Sequence, residues 1–192
     1  MFMTIKELVL TNRSYRRFHQ DVRIDLNTLK DLVELSRLSA SGANIQPLKY
    51  ILSSEPEKNE LIFMNLAWAA YLKNWTGPAE GEKPAAYIIV LGDKRLKESF
   101  GYDPGIAVQS MLLGAVEKGL GGCIIGSINR DSFRKDLNIP DQFEILLVIA
   151  LGKPKETVVI EPLGLNGDIK YWRDEKGIHH VPKRSLEELI AG

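Results

Sequence analysis

Apolar positions along this chain fall into short periodic stretches separated by glycine, proline and small polar residues, so the elements can be read almost end to end. Thr4 to Leu10 is amphipathic, and Thr4 with Glu7 three residues on has the spacing of a capping box. Asp25 opens a helix whose Leu26, Leu29, Leu32, Val33 and Leu35 share one face, and Ser39 to Gly42 ends it. Pro47 biases Gln46 towards extended backbone and Lys49 to Ser53 reads as a strand. Glu55 to Tyr71 reads as a helix carrying Leu61, Ile62, Met64 and Leu66, and Asn74 to Pro84 as a loop. Ala85 to Leu91 is a buried strand, too short for a helix. Asp103 to Gly119 is the strongest helical pattern, with Pro104 suited to its first turn and Gly119 stopping it. Gly121 to Ile128 is a glycine-flanked strand, Asp131 caps a short helix to Leu137, and Glu144 to Leu151 is the last strand of the main series. Helices alternating with strands imply an α/β or α+β sheet covered by helices.

After Gly152 the pattern changes. About forty residues rich in charge, glycine and proline follow, with Tyr171 and Trp172 on no core pattern and an apparent short helix from Ser185 to Ile190. A segment this polar needs burial supplied from outside itself, and a partner subunit is the expected source.

The length of 192 residues predicts one domain, 1–192, with the 158–192 tail packed on a neighbouring subunit. Lys plus Arg and Asp plus Glu both number 25, which leaves no global field to draw in nucleic acid or an anionic membrane. The longest apolar run, Ile145 to Leu151, is far short of the roughly 20 residues that span a bilayer, and the first residues lack a signal-peptide core, so a cytoplasmic protein is expected. Cys123 is the only cysteine and reads as a buried structural thiol, and three histidines make no zinc cluster.

Recognition must then be local. Arg13-Ser14-Tyr15-Arg16-Arg17 puts three guanidiniums in five residues, and Ser39, Ser41, Asn44 and Gln46 lie in a loop of small residues one helix later. Either segment alone reads equally as solvated surface. Together they suit a ligand with an anionic end and a polar body, as in a phosphorylated cofactor. No P-loop is present, and no Gly-x-Gly-x-x-Gly follows a predicted strand.

These segments resemble the nitroreductase family of FMN-dependent oxidoreductases. The likeness extends to Gly119-Leu120-Gly121-Gly122-Cys123-Ile124-Ile125-Gly126, to Ala150-Leu151-Gly152-Lys153-Pro154 and to Val181-Pro182-Lys183-Arg184-Ser185-Leu186. It implies an α+β fold with a central, mostly antiparallel sheet flanked by helices, in an intertwined homodimer with an extended C-terminal tail and FMN bound between the subunits. Carried over by residue, Arg13 and Ser14 correspond to phosphate and ribityl contacts. Arg16 corresponds to the cation beside the flavin pyrimidine edge, where it tunes the ring towards reduction. Ser41, Asn44 and Gln46 correspond to loop contacts, the last two supplied across the dimer. Ile124, Ile125 and Gly126 correspond to the strand behind the ring, and Lys183 and Arg184 to cations that close on the phosphate.

The implied reaction is ping-pong hydride transfer from NADH or NADPH to a small electron-poor acceptor such as a nitroaromatic or quinone, with the chemistry at flavin N5 and no catalytic side chain. The alternatives are a non-enzymatic FMN-binding or redox-carrier protein, or a divergent reaction such as reductive dehalogenation. Leu48 and Gly126 depart from common members, which often carry an aromatic and an acidic residue there. The segment from Pro56 to Pro84 is short for the excursion that roofs the substrate pocket. Trp68, Tyr71 and Trp75 read as pocket lining or as core, and His179 and His180 as surface histidines.

Overall fold

A computed structural model describes residues 3–191; Met1, Phe2 and Gly192, which the single-domain reading included, lie outside the described residues. The sheet is built on the two most apolar runs. Strand β3 (Ala86–Asp93) is buried at all eight positions, and β5 (Phe143–Pro154) runs antiparallel beside it, from Ala86 opposite Leu151 to Asp93 opposite Phe143. Outside β3 lies β2 (Leu48–Ser53), also antiparallel. The other edge of β5 is shared by β4 (Gly121–Ile125) and the two-residue β1 (Phe18–His19), again antiparallel. This decides between the two architectures left open by the element order: the fold is α+β.

Both faces of the sheet are covered, which is why its central strands are continuously apolar rather than alternating. On one face Ile88, Val90, Ile149 and Leu151 meet helices α2 (Leu26–Leu38) and α4 (Asp103–Glu117) through Leu29, Leu32, Val108, Met111 and Ala115. The helices approach closely at Gly114, where a Cβ would lie 2.2 Å from Leu35 Cδ1. On the other face Tyr87, Ile89, Val148, Cys123 and Ile125 meet Ile62 of α3 (Pro56–Met64), Phe133 of α5 (Arg130–Asp136) and Trp68. Fully burying one such side chain contributes about 1.5–3 kcal/mol.

Local signals at helix starts hold. Thr4 and Glu7 form the expected capping box of α1 (Ile5–Thr11), and Asp25 caps α2 by accepting from the Thr28 N–H at 2.7 Å. Several boundaries differ, and the strand expected from Gly121 to Ile128 ends at Ile125. The helix expected from Glu55 to Tyr71 stops at Met64, because the Asn65 amide turns back to the Leu61 carbonyl and to Asp136, each at 2.9 Å, and Ala69 takes a left-handed φ of 40°. Helix α5 is capped by Asn129, not Asp131.

The tail has structure of its own. Strands β6 (Val158–Pro162) and β8 (His179–Lys183) pair in parallel, β7 (Trp172–Arg173) adds antiparallel to β8, and Ser185 caps α6 (Leu186–Leu189). Part of the burial expected from a partner is thus supplied within the chain: Glu156 and His179 are buried against residues 16–17 of the same chain. Leu186, Leu189 and Ile190 remain about two-thirds exposed.

Arg17 clamps the loop before β3, donating from Nε and Nη2 to Glu82 at 2.6 Å each, while Lys155 adds a contact at 3.2 Å. The Arg17 hydrogen bonds, working against partial burial and helped by Lys155, pull the Glu82 carboxyl from 4.5 down to about 2. Its contribution to stability is therefore complete above pH 4.5 and is lost as the pH falls towards 2. Glu82→Gln should cost on the order of 1 kcal/mol at neutral pH and should flatten the loss of stability between pH 4.5 and 2, as read from urea melts across that range.

Candidate functional site

After α1 the chain runs extended along the edge of β4, held by a bridge between Ser14 and Gly122 and by the Tyr15 N–H on the Gly122 carbonyl at 3.0 Å. This lays Arg13 to Arg16 beside a cavity of about 230 Å³ whose other walls are α4, β4 and the tail. Arg13, Ser14, Arg16, Ile124 and Lys183 all line it, so five of the eleven residues predicted for the cofactor meet in one place. Gly122 lines it too. A Cβ there would stand 2.7 Å from Leu112 and 2.8 Å from the Ala150 carbonyl, so only glycine lets this wall form.

The cavity is cationic and carries donors to spare. Arg13 donates from Nη2 to the Val9 carbonyl at 2.7 Å, yet its buried Nε has no hydrogen-bond partner among the described residues. Arg16 sends Nη1 to the Ser14 carbonyl and to His179 Nε2, both at 3.3 Å, and its guanidinium lies 4.7 Å from the Tyr171 ring centroid. Both the Arg16 and Arg17 amides donate to Glu156, which is also paired with Arg173 at 2.8 Å.

His179 is not a surface residue, and His180 is only partly exposed. His179 is 1% exposed, and its pKa is pushed from 6.5 down to about 4 by burial first and then by the charges of Arg16, Arg173 and His180. His180 stacks on Trp172 at 4.0 Å and reaches Glu161 and Asp174.

The second predicted segment stands elsewhere. Ser41 and Gln46 line a cavity of about 510 Å³ with Ser39, Tyr50 and Asp103, and Asn44 is exposed outside it. Asp103 organises this loop, accepting from Ser41 Oγ at 2.6 Å and the Gly42 N–H at 2.9 Å, while Ser41 Oγ accepts from the Gln46 N–H at 3.0 Å. Burial raises the Asp103 pKa, but those hydrogen bonds and Lys97 overcome it and hold the carboxyl below its usual value. Gln46 is not extended as Pro47 suggested: it sits at φ 53°, with Ala43 at 50° and Asn44 at 55°. The hydrogen bonds to Ser41 and Asp103 override the pre-proline preference.

Besides Asn44, three predicted residues line neither cavity. Ile125 points into the core, Arg184 reaches Glu188 at 3.4 Å, and Gly126 lies exposed past the end of β4, its carbonyl 3.4 Å from Arg130 Nη2. Trp68 is core, packed over Gly77 and Phe63. Tyr71 and Trp75 meet the tail, through Tyr171 at 4.9 Å and Arg173 at 5.0 Å. Cys123 is buried and free, and burial raises its pKa.

The sequence profile of the Nitroreductase family matches residues 9–153. The chain belongs to the nitroreductase family. The Bacillus subtilis (strain 168) protein named "Putative NAD(P)H nitroreductase MhqN" is 26% identical over 189 residues, an alignment covering 77% of this chain and 87% of that one. A crystal structure of a nitroreductase family protein from Clostridium novyi NT superposes with a TM-score of 0.68 at 20% identity, covering 97% of this chain and 98% of its own. An FMN-dependent nitroreductase from Clostridium difficile R20291 gives 0.63 at 20% identity, covering 78% and 87%. These structural likenesses establish the nitroreductase fold, with helices on an antiparallel sheet as the resemblance implied.

In this nitroreductase, sequence reading missed Gly122, Tyr171, His179 and Asp103. The paired glycines at 121–122 signalled the first. Asp103 in Tyr102-Asp103-Pro104-Gly105 reads as a helix start and gives no sign of its loop contacts.

Replacing Asp103 with Asn removes the charge that holds Ser41 and the Gly42 amide. Amide exchange at Gly42 and Gln46 should then speed up by about tenfold or more, while α4 amides beyond Ala107 stay protected. Hydrogen-exchange mass spectrometry of both proteins reads this directly.

Proposed function

We propose that this protein is a homodimeric, FMN-dependent oxidoreductase that takes hydride from NADH or NADPH and passes it to a small electron-poor acceptor in ping-pong order. The chain is an NAD(P)H-dependent oxidoreductase of the nitroreductase family. The relative from Bacillus subtilis carries an NAD(P)H nitroreductase name and the Clostridium difficile structure an FMN-dependent one, in line with that reading. The observation that carries it to this chain is the cavity itself, where Arg13, Arg16 and Lys183 converge and the buried Arg13 Nε has no partner among the described residues. An anionic ligand rich in acceptors suits these groups.

FMN, when bound, supplies the centre that accepts and releases hydride. Arg13 and Lys183 would hold its phosphate, Ser14 its ribityl hydroxyls, and Gly122 and Ile124 would form the wall against the ring. Arg16 would supply a cation for the negative charge that grows on reduction, favouring the reduced ring over the oxidised one. His179, with a pKa of about 4, is neutral at pH 7 and has no proton to lend. The residues around the cavity therefore bind and tune.

At about 230 Å³ the cavity is smaller than the roughly 300–1,000 Å³ of most ligand sites. Ser41, Asn44 and Gln46 face another part of the surface. A second copy that brings this loop over the first cavity completes the site, and the exposed Leu186, Leu189 and Ile190 of α6 give the tail an apolar face for that copy. No helix among the described residues is long and apolar enough to cross a membrane, and we place the enzyme in the cytoplasm.

The purified protein should be yellow or become so with FMN, and should oxidise NADH or NADPH when a quinone or nitroaromatic is present. Arg13→Ala and Lys183→Ala should each weaken FMN binding about ten- to a hundredfold, measured by flavin fluorescence titration. A preparation that stays colourless with excess FMN overturns the assignment, and one that binds FMN without turnover makes it a flavin carrier.

If the site is shared, mixing Arg13→Ala with Asn44→Ala subunits should restore in the heterodimer one intact site of two, whereas each variant alone stays impaired. Titrating FMN into the purified heterodimer reads the restored half.

A further inference from the structure

The segment beyond residue 153 lies outside the family match, yet beside the Ser14 carbonyl it supplies the contacts that fix the direction of Arg16. We propose that the C-terminal sheet is the aiming device for the Arg16 guanidinium, with His179 and Glu156 as its positioning residues. The proposal rests on the reading that Arg16 faces the cofactor.

An arginine stem has many rotamers, so a guanidinium meant to meet charge at one edge of a ring must be restrained. Three restraints converge here. The carboxylate of Glu156, itself buried, accepts the amides of both Arg16 and Arg17 and fixes where the stem begins. His179 Nε2 stands 3.3 Å from Arg16 Nη1. Tyr171 covers the guanidinium face at 4.7 Å. A guanidinium only donates, so Nε2 is the acceptor and the ring proton sits on Nδ1. That tautomer requires a neutral imidazole, and burial between Arg16 and Arg173 keeps it neutral.

Charge placement supports the same role. The Glu156 carboxylate takes the Arg16 backbone N–H and pairs its charge with Arg173. Among the described residues no carboxylate pairs with the Arg16 guanidinium, so its positive charge stays available to the cavity. Direct pairing would quench the effect for which the residue is held in place. The arrangement separates the anchor of Arg16 from its charge.

The test compares Arg16→Ala, His179→Ala, His179→Gln and the double Arg16→Ala/His179→Ala in the full-length protein. Two readouts are used: the two-electron midpoint potential of bound FMN, and the ¹⁵N NMR signals of the Arg16 guanidinium in the cofactor-free protein. His179→Ala should lower the preference for reduced over oxidised FMN by about tenfold, about 30 mV for a two-electron couple, approaching the effect of Arg16→Ala. It should also leave the affinity for oxidised FMN near wild type and collapse the separate Arg16 Nη signals through free rotation. His179→Gln, whose amide oxygen can accept from Nη1, should restore both. The double variant should be no worse than Arg16→Ala.

If Arg16→Ala lowers the potential and folded His179→Ala and His179→Gln leave it at wild type, the positioning role is wrong. If Arg16→Ala itself changes nothing, the reading of Arg16 at the flavin edge fails, and the guanidinium signals then decide the positioning separately: loss in His179→Ala and return in His179→Gln uphold it, and no change overturns it. Should His179→Ala fail to fold, Glu156→Gln read by the same signals replaces it, with increased Arg16 rotation expected and unchanged rotation overturning the proposal.

Discussion

Strand β5 has both of its edges occupied along most of its length, and nearly everything else in the molecule takes its place from that constraint. A twelve-residue strand with free edges would expose a row of unpaired amides and carbonyls. Here β3 takes one edge from Phe143 to Leu151, and the other is divided between β4 and the two residues of β1. The wall of the cationic cavity is β4, so the site exists because β5 needed that partner. The pairing of Phe18 with Pro154 also brings the residues just before β1 against those just after β5, with the Lys155 N–H on the Arg17 carbonyl at 2.9 Å. Arg16 and Glu156 are neighbours in space for that reason, although 140 residues separate them.

A chain with no net charge can still build a strongly cationic site by engaging its carboxylates elsewhere. Glu82 is held by Arg17 and Lys155, Glu156 by Arg173 and backbone amides, and Asp103 by Ser41 and Gly42. What remains unneutralised around the cavity is positive. Global composition gave no field on which to expect nucleic acid or anionic surfaces, and it could not have located this local excess.

Elements whose signal is short-ranged were legible in the sequence. The capping box at Thr4, the Asp25 cap, the periodic apolar face of α2 and the buried run of β3 all depend on residues within a few positions of one another. The α3 boundary was not legible, because it depends on Asn65 meeting Asp136, 71 positions away. Gln46 departs from its pre-proline preference for the same kind of reason, since the loop is clamped by a carboxylate in a different helix. His179 was misread because a polar tail gives no periodic hint that one of its imidazoles is enclosed by two arginines. Arg13, Ser14, Arg16 and Lys183 were found through the family resemblance, and the physics of the residues alone left them as ordinary surface charge.

The two-residue strand β1 is where the main sheet is completed, at Lys153 and Pro154, before the tail begins. No strand of that sheet takes a hydrogen-bonding partner from the residues that follow, which pair among themselves as β6, β8 and β7. The chain past Pro154 can therefore be lengthened, shortened or rewritten without unpairing the sheet. The tail is in this sense a module: what stands over the cavity can be exchanged while the scaffold beneath it stays the same.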